Sequence, residues 1–179
     1  KDSPHIVDFL KSLENPLAAM VVGFSFTAVL QSSSATVGIV ILMASKGLLE
    51  FTICPFLILG CNIGACVSAL VASLGGNKDA KRAALIHFLF NAIGSAIAFV
   101  ILMVALGPVT GGILQISGGN PARAVANAHT LIKVFEVVLL FPFMGWIVKA
   151  TYKLVPGKDV DQEDEYQLLH IGGKSIISP

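Results

Sequence analysis

The stretch LQSSSATVGIVILMA, residues 30–44, decides how the chain is read. Gln31, Ser32, Ser33 and Ser34 stand inside strongly apolar sequence, and Ala35, Val37, Ile39, Val40, Ile41 and Leu42 follow at once. The apolar arms on either side, 17–30 and 35–44, are each shorter than the ~20 residues a crossing helix needs. Four small polar side chains between two such arms have two readings. They are packing residues at helix–helix contacts, or they mark a broken membrane segment that holds something polar.

Working outward, the composition settles the solvent. The chain has 179 residues, of which 55 % are hydrophobic and 13 % charged, with a mean hydropathy of +0.81. Soluble domains carry roughly 25 % charged residues, so this chain has about half the usual means of covering a water-facing surface. An all-α membrane protein follows. A net charge of +1 without a basic stripe argues against nucleic-acid binding. Cys54, Cys61 and Cys66 lie in apolar sequence, form no CxxC and have no His partners at metal spacing, so they read as small buried residues. The first residues show no signal peptide, and both ends read as cuts through a longer polypeptide.

Residues 1–16 pattern as an amphipathic helix lying in the interface, with Ile6, Val7, Leu10 and Leu13 at helical spacing. Asn15 is a candidate N-cap and Pro16 a first-turn residue for the next helix. Segment 48–74 has the same shape as 17–45: an apolar half with Pro55, then GCNIG at 60–64, then ACVSALVASL. Gly60, Asn62 and Gly64 cluster where a continuous helix disfavours them, which predicts a broken transmembrane helix. Segments 83–107 and 122–152 are plain spanning helices, joined by a Gly/Pro-rich stretch, 108–121, expected to be a loop. Residues 156–179 form a polar, acidic tail. The 75–82 loop carries Lys78, Lys81 and Arg82 and lies two crossings from the tail, so the two share a side. With Lys149, Lys153 and Lys158 on that side too, the positive-inside rule places it in the cytoplasm of a multi-pass protein of the plasma (inner) membrane.

Non-helical backbone within a bilayer persists only where it is buried in protein or lines a wet cavity. Breaks at QSSSA and GCNIG would free N–H groups at helix N-termini, which attract anions, and carbonyls that suit a hard cation. Serine hydroxyls and the amides of Gln31 and Asn62 can face either. Gln31 is the most telling of these, because a buried amide needs several partners. His87, Asn91 and Ser95 recur at four-residue spacing on one helix face. His87 and His129 lie near segment starts and read as interface or packing residues. Lys133 and Glu136 are three apart and read as a pair rather than a proton relay. No catalytic motif and no Walker loop is present, so neither an enzyme nor an ATP-driven pump is indicated.

The stretches TAVLQSSSATVGIVILMA, GCNIGACVSALVASLG, KRAALIHFLFNAIGS and ANAHTL, in this order, resemble the type II sodium–phosphate cotransporter family. The resemblance covers roughly residues 1–155 and is to the second of two homologous halves. It implies an inverted-repeat transporter half in which 17–45 is a re-entrant helical hairpin, 48–74 a broken helix, and the acidic tail a lead into a cytoplasmic regulatory domain absent here. It implies symport of inorganic phosphate with sodium by alternating access, sodium being the coupling ion and no organic cofactor being needed. The partner of this half would be the other repeat of the same transporter or a second copy in a dimer. Carried over, Gln31, Ser32, Ser33, Ser34 and Asn62 would bind phosphate, and Gln31, Ser33, Ser34, Gly60, Asn62 and Ser68 would bind sodium. Two departures bear on the ion. Ala65 and Cys66 stand where the family usually has two threonines, and Lys133 stands in HTLIK where the family usually has an amide.

Two other functions use similar parts. A sodium-coupled carboxylate or amino-acid carrier also employs serine-rich hairpins, but no spanning segment here offers an arginine to clamp a carboxylate. A non-transporting membrane scaffold that senses phosphate would explain a tail leading to a cytoplasmic domain.

Overall fold

The computed structural model describes residues 13–157. Most of the amphipathic segment expected over 1–16, and the tail beyond Gly157, lie outside them. Among the described residues every regular element is helical: α1 (Pro16–Leu30), α2 (Ser33–Ser45), α3 (Cys54–Gly64), α4 (Cys66–Ser73), α5 (Lys78–Ile116), α6 (Pro121–Leu140) and α7 (Met144–Leu154), with short 3-10 turns at Phe51–Ile53 and Phe141–Phe143. Asparagine starts three of them. The Oδ1 atoms of Asn15, Asn77 and Asn120 accept from the first-turn amides of α1, α5 and α6, and proline follows Asn15 and Asn120 at the first helical position.

Three stretches are long and apolar enough to cross a membrane: Phe51–Ser73, Lys78–Ile116 and Pro121–Leu154. The distribution of side chains is that of a protein solvated by lipid. Val29, Val104 and Trp146 are 82 %, 84 % and 79 % exposed, whereas Thr27, Ser95, Asn62 and Glu136 are at most 1 % exposed. Apolar side chains cover the outside, and polar ones are turned inward where they can find partners.

The first two helices form a hairpin. Gln31 has φ 53 and ψ 25, a left-handed conformation that ends α1, and extended Ser32 starts α2. Val22, Gly23 and Phe26 share a cleft with Thr36, Ile39, Val40 and Met43, so the two arms run back along each other. Thr27 Oγ1 donates to Thr36 Oγ1 across the neck at 3.0 Å.

At GCNIG the segment is divided into two helices, but the backbone stays close to helical through the division. α3 ends at Gly64 and α4 starts at Cys66, but Ala65 between them keeps φ −62 and ψ −23, and its N–H still donates to the Cys61 carbonyl at 3.0 Å. The glycines are there for close approach. A Cβ at Gly60 would overlap the Met20 carbonyl oxygen, and one at Gly64 would meet the Phe24 carbonyl and Thr27 Cβ. Gly23 on α1 is pressed in the same way against the Leu57 carbonyl. α1 and α3 therefore meet backbone to backbone along a small-residue seam.

The loop expected over 108–121 is also corrected. α5 continues to Ile116, and only Ser117–Asn120 turn. Pro108 lacks an N–H and crowds the carbonyl four residues back, and the helix answers with a kink at Ala105, φ −129 and ψ 34. Just beyond the kink, Thr110 Oγ1 donates to the Leu106 carbonyl at 2.6 Å.

α2 packs on α6, α5 packs on α3, α4, α6 and α7, and α3 sits among α1, α2, α5 and α6. At one end of the bundle Arg82 ties the start of α5 to the end of α7. Its Nε and Nη2 donate to the Val155 carbonyl at 3.2 and 3.1 Å, Nη2 also reaches the Gly157 carbonyl, and the guanidinium lies 4.2 Å from the centre of the Tyr152 ring. The basic 75–82 region and the start of the tail thus meet at one end.

Candidate functional site

Two polar features stand out within the apolar bundle. The first is the hairpin tip. Ser32 Oγ accepts from the Ala35 amide at 3.2 Å and its carbonyl from the Thr36 amide, so Ser32 caps α2 with side chain and backbone. The amides of Ser33 and Ser34, in the first turn, have no place in the helix ladder. Ser32 and Ser33 are half-buried, Gln31 and Ser34 exposed. The side chains of Gln31, Ser33 and Ser34 make no hydrogen bond among the described residues. The tip therefore gathers an amide, hydroxyls and two backbone donors at the positive end of a helix dipole, which is a chemistry suited to an oxyanion.

The second feature lies between α3, α5 and α6. Glu136, 1 % exposed, accepts at Oε1 from Asn62 Nδ2 at 3.0 Å and from Ser95 Oγ at 3.2 Å. Its Oε2 makes no hydrogen bond and lies 3.7 Å from Lys133 Nζ. Lys133 Nζ donates instead to Asn91 Oδ1 at 3.0 Å, and Asn91 Nδ2 to the His87 carbonyl at 2.9 Å. Gly94 makes room: a Cβ there would press on the Glu136 side chain. Asn62 Oδ1, like Glu136 Oε2, is buried without a partner. The four-residue spacing of Asn91 and Ser95 and the Lys133–Glu136 pair were legible in the sequence. The bond from Asn62 to Glu136, 74 residues away, was not.

The model of the family described as Na+/Pi-cotransporter matches residues 5–150. The chain belongs to the Na+/Pi-cotransporter family. It is 31 % identical over 141 residues to the uncharacterized protein YqeW of Bacillus subtilis (strain 168), covering 79 % of this chain and 44 % of that one. It is 35 % identical over 161 residues to sodium-dependent phosphate transport protein 2A of Rattus norvegicus, covering 84 % of this chain and 24 % of that one. With the protein 2A of Ovis aries the identity is 36 % over 153 residues, covering 80 % and 22 %. The chain thus spans less than half the length of these relatives. No solved structure matches it.

Against the set of site residues expected for this family, the structure brings together one group and separates others. Gln31, Ser32, Ser33 and Ser34 share the hairpin tip. Asn62 spends its side-chain hydrogen bond on Glu136 rather than on the tip. It projects from the face of α3 opposite Gly60 and Gly64, which are packed on α1. Gly60, buried beneath the Met20 carbonyl, has its backbone within a helix rather than at an open end. Ser68 Oγ donates back to the Ala65 carbonyl at 3.2 Å. The cysteines are free and buried, and Cys66 Sγ lies 3.5 Å from the Asn62 carbonyl in the second cluster.

Proposed function

We propose that this chain is one repeat of a secondary active symporter that carries inorganic phosphate together with sodium by alternating access. The observation that carries the reading is the hairpin tip, where left-handed Gln31 ends one short helix and capped Ser32 begins another. Membership of the Na+/Pi-cotransporter family supports phosphate as the anion and sodium as the coupling ion. Ser33 and Ser34, with their amides and hydroxyls, would hold phosphate oxygens, and Gln31 would orient the anion or offer its carbonyl to sodium. Both arms of the hairpin are too short to cross, at 15 and 13 residues, which favours a re-entrant element over two spans. The other repeat, or a second copy, would complete the cavity around the tip. We place the 75–82 loop and the tail on the cytoplasmic side of the plasma membrane, following Lys78, Lys81 and Arg82 in the loop and Lys149, Lys153 and Lys158 about the end of α7.

Uptake of labelled phosphate by the full-length protein in vesicles tests this. The reading expects saturable uptake that rises with external sodium and is not displaced by aspartate or succinate. Displacement by those carboxylates would transfer the assignment to a carboxylate carrier. Phosphate-dependent signalling that persists without any uptake would transfer it to a sensor.

A further inference from the structure

Lys133 is the one cation that reaches the second polar cluster among the described residues, and its placement is unusual for a simple salt bridge. Its ammonium is 3.7 Å from Glu136 Oε2, too long for a hydrogen bond, and 3.0 Å from Asn91 Oδ1. Asn62 Nδ2 and Ser95 Oγ are spent on Oε1, so the oxygens that face the half-exposed ammonium are Asn91 Oδ1 and the otherwise unpaired Glu136 Oε2. A neutral amide oxygen and a carboxylate oxygen are hard donors that suit an alkali cation as well as an ammonium. A lone buried carboxylate would be costly in a membrane interior, and the ammonium on a long flexible stem supplies the missing charge from within the chain.

We propose that Lys133 is a tethered counter-cation: its ammonium stands in for a small alkali ion between Asn91 Oδ1 and Glu136 Oε2, on a carboxylate whose other oxygen is held by Asn62 and Ser95. The site is then charge-balanced without taking an ion from solution, and it contributes no exchangeable sodium. The inference deepens the sodium side of the proposed function and takes from it only the identity of the ion.

The test uses full-length protein purified in detergent, so it does not depend on phosphate transport. Lys133→Met empties the ammonium position and leaves the oxygens. Radioactive sodium binding should rise by one ion per chain over wild type. Replacing choline chloride by sodium chloride at equal ionic strength should raise the Tm of Lys133→Met by about 3 °C more than that of wild type. The double variant Lys133→Met with Glu136→Gln removes both charges and should lose the extra ion and the extra sodium response. Unchanged sodium binding in Lys133→Met overturns the proposal. So does equal destabilisation in both salts, or failure of that variant to fold in sodium when the double variant folds. Loss of sodium-driven uptake in wild-type vesicles would instead count against the proposed function.

Discussion

Asn62 Nδ2 donates to Glu136 Oε1 at 3.0 Å, joining two helices whose residues are 74 apart in sequence, with both side chains 1 % exposed. That bond, with the one from Ser95, holds a carboxylate inside a bundle whose outer face is apolar. Asn62→Ala removes a donor from a charged acceptor and should cost about 1.5–3 kcal/mol. Glu136→Ala leaves the Asn62 and Ser95 donors without their acceptor and should cost more, about 2–5 kcal/mol. Thermal unfolding of the purified full-length protein checks both. Equal and negligible shifts would mean that the cluster is solvated.

The α1–α3 seam makes a different prediction. Gly60→Ala and Gly64→Ala place a methyl group against backbone carbonyls, which cannot rotate away, so each should destabilise by about 1–3 kcal/mol. Gly111→Ala, on α5 with open space around it, should be neutral or gain up to about 1 kcal/mol from helix propensity. A stability ranking in which all three behave alike would contradict the close approach.

Gln31 separates backbone from side chain. Its positive φ is free for glycine and strained for a β-branched residue. Gln31→Gly should stay within about 1 kcal/mol of wild type, while Gln31→Val should lose about 1–3 kcal/mol. Unfolding midpoints that are the same for Gly and Val would mean that the hairpin does not turn at this residue.

Arg82 reads as a latch at the basic end. Its planar fork serves the Val155 and Gly157 carbonyls while stacking on Tyr152. Lysine keeps the charge but not the fork. Arg82→Lys should speed amide exchange across residues 151–157 by about tenfold, corresponding to about 1.4 kcal/mol, with little change in α3. Uniform acceleration over the whole bundle would show a global role instead.

The sequence made the hairpin legible because two signals agreed: arms too short to cross and a polar run able to cap. It could not say what the glycines of GCNIG are for, because glycine has two uses in a membrane helix, breaking the backbone and admitting a neighbour. Only the position of Met20 and Phe24 shows which use applies. It misread 108–116 because Gly107, Pro108, Gly111 and Gly112 resemble a loop in water, whereas lipid forces the backbone to keep its own hydrogen bonds. Helical periodicity paired Lys133 with Glu136 and aligned Asn91 with Ser95, since those spacings are local. It carried no information on which distant helix would supply Asn62.

The central claim is that the tip formed by Gln31, Ser32, Ser33 and Ser34 holds phosphate, and equilibrium binding of labelled phosphate to purified full-length protein tests it most directly. In sodium chloride the wild type should bind saturably, and Ser33→Ala and Gln31→Gly, with folding intact, should each bind at least tenfold more weakly, a loss of about 1.4 kcal/mol or more. Undiminished phosphate binding by both variants would contradict the account.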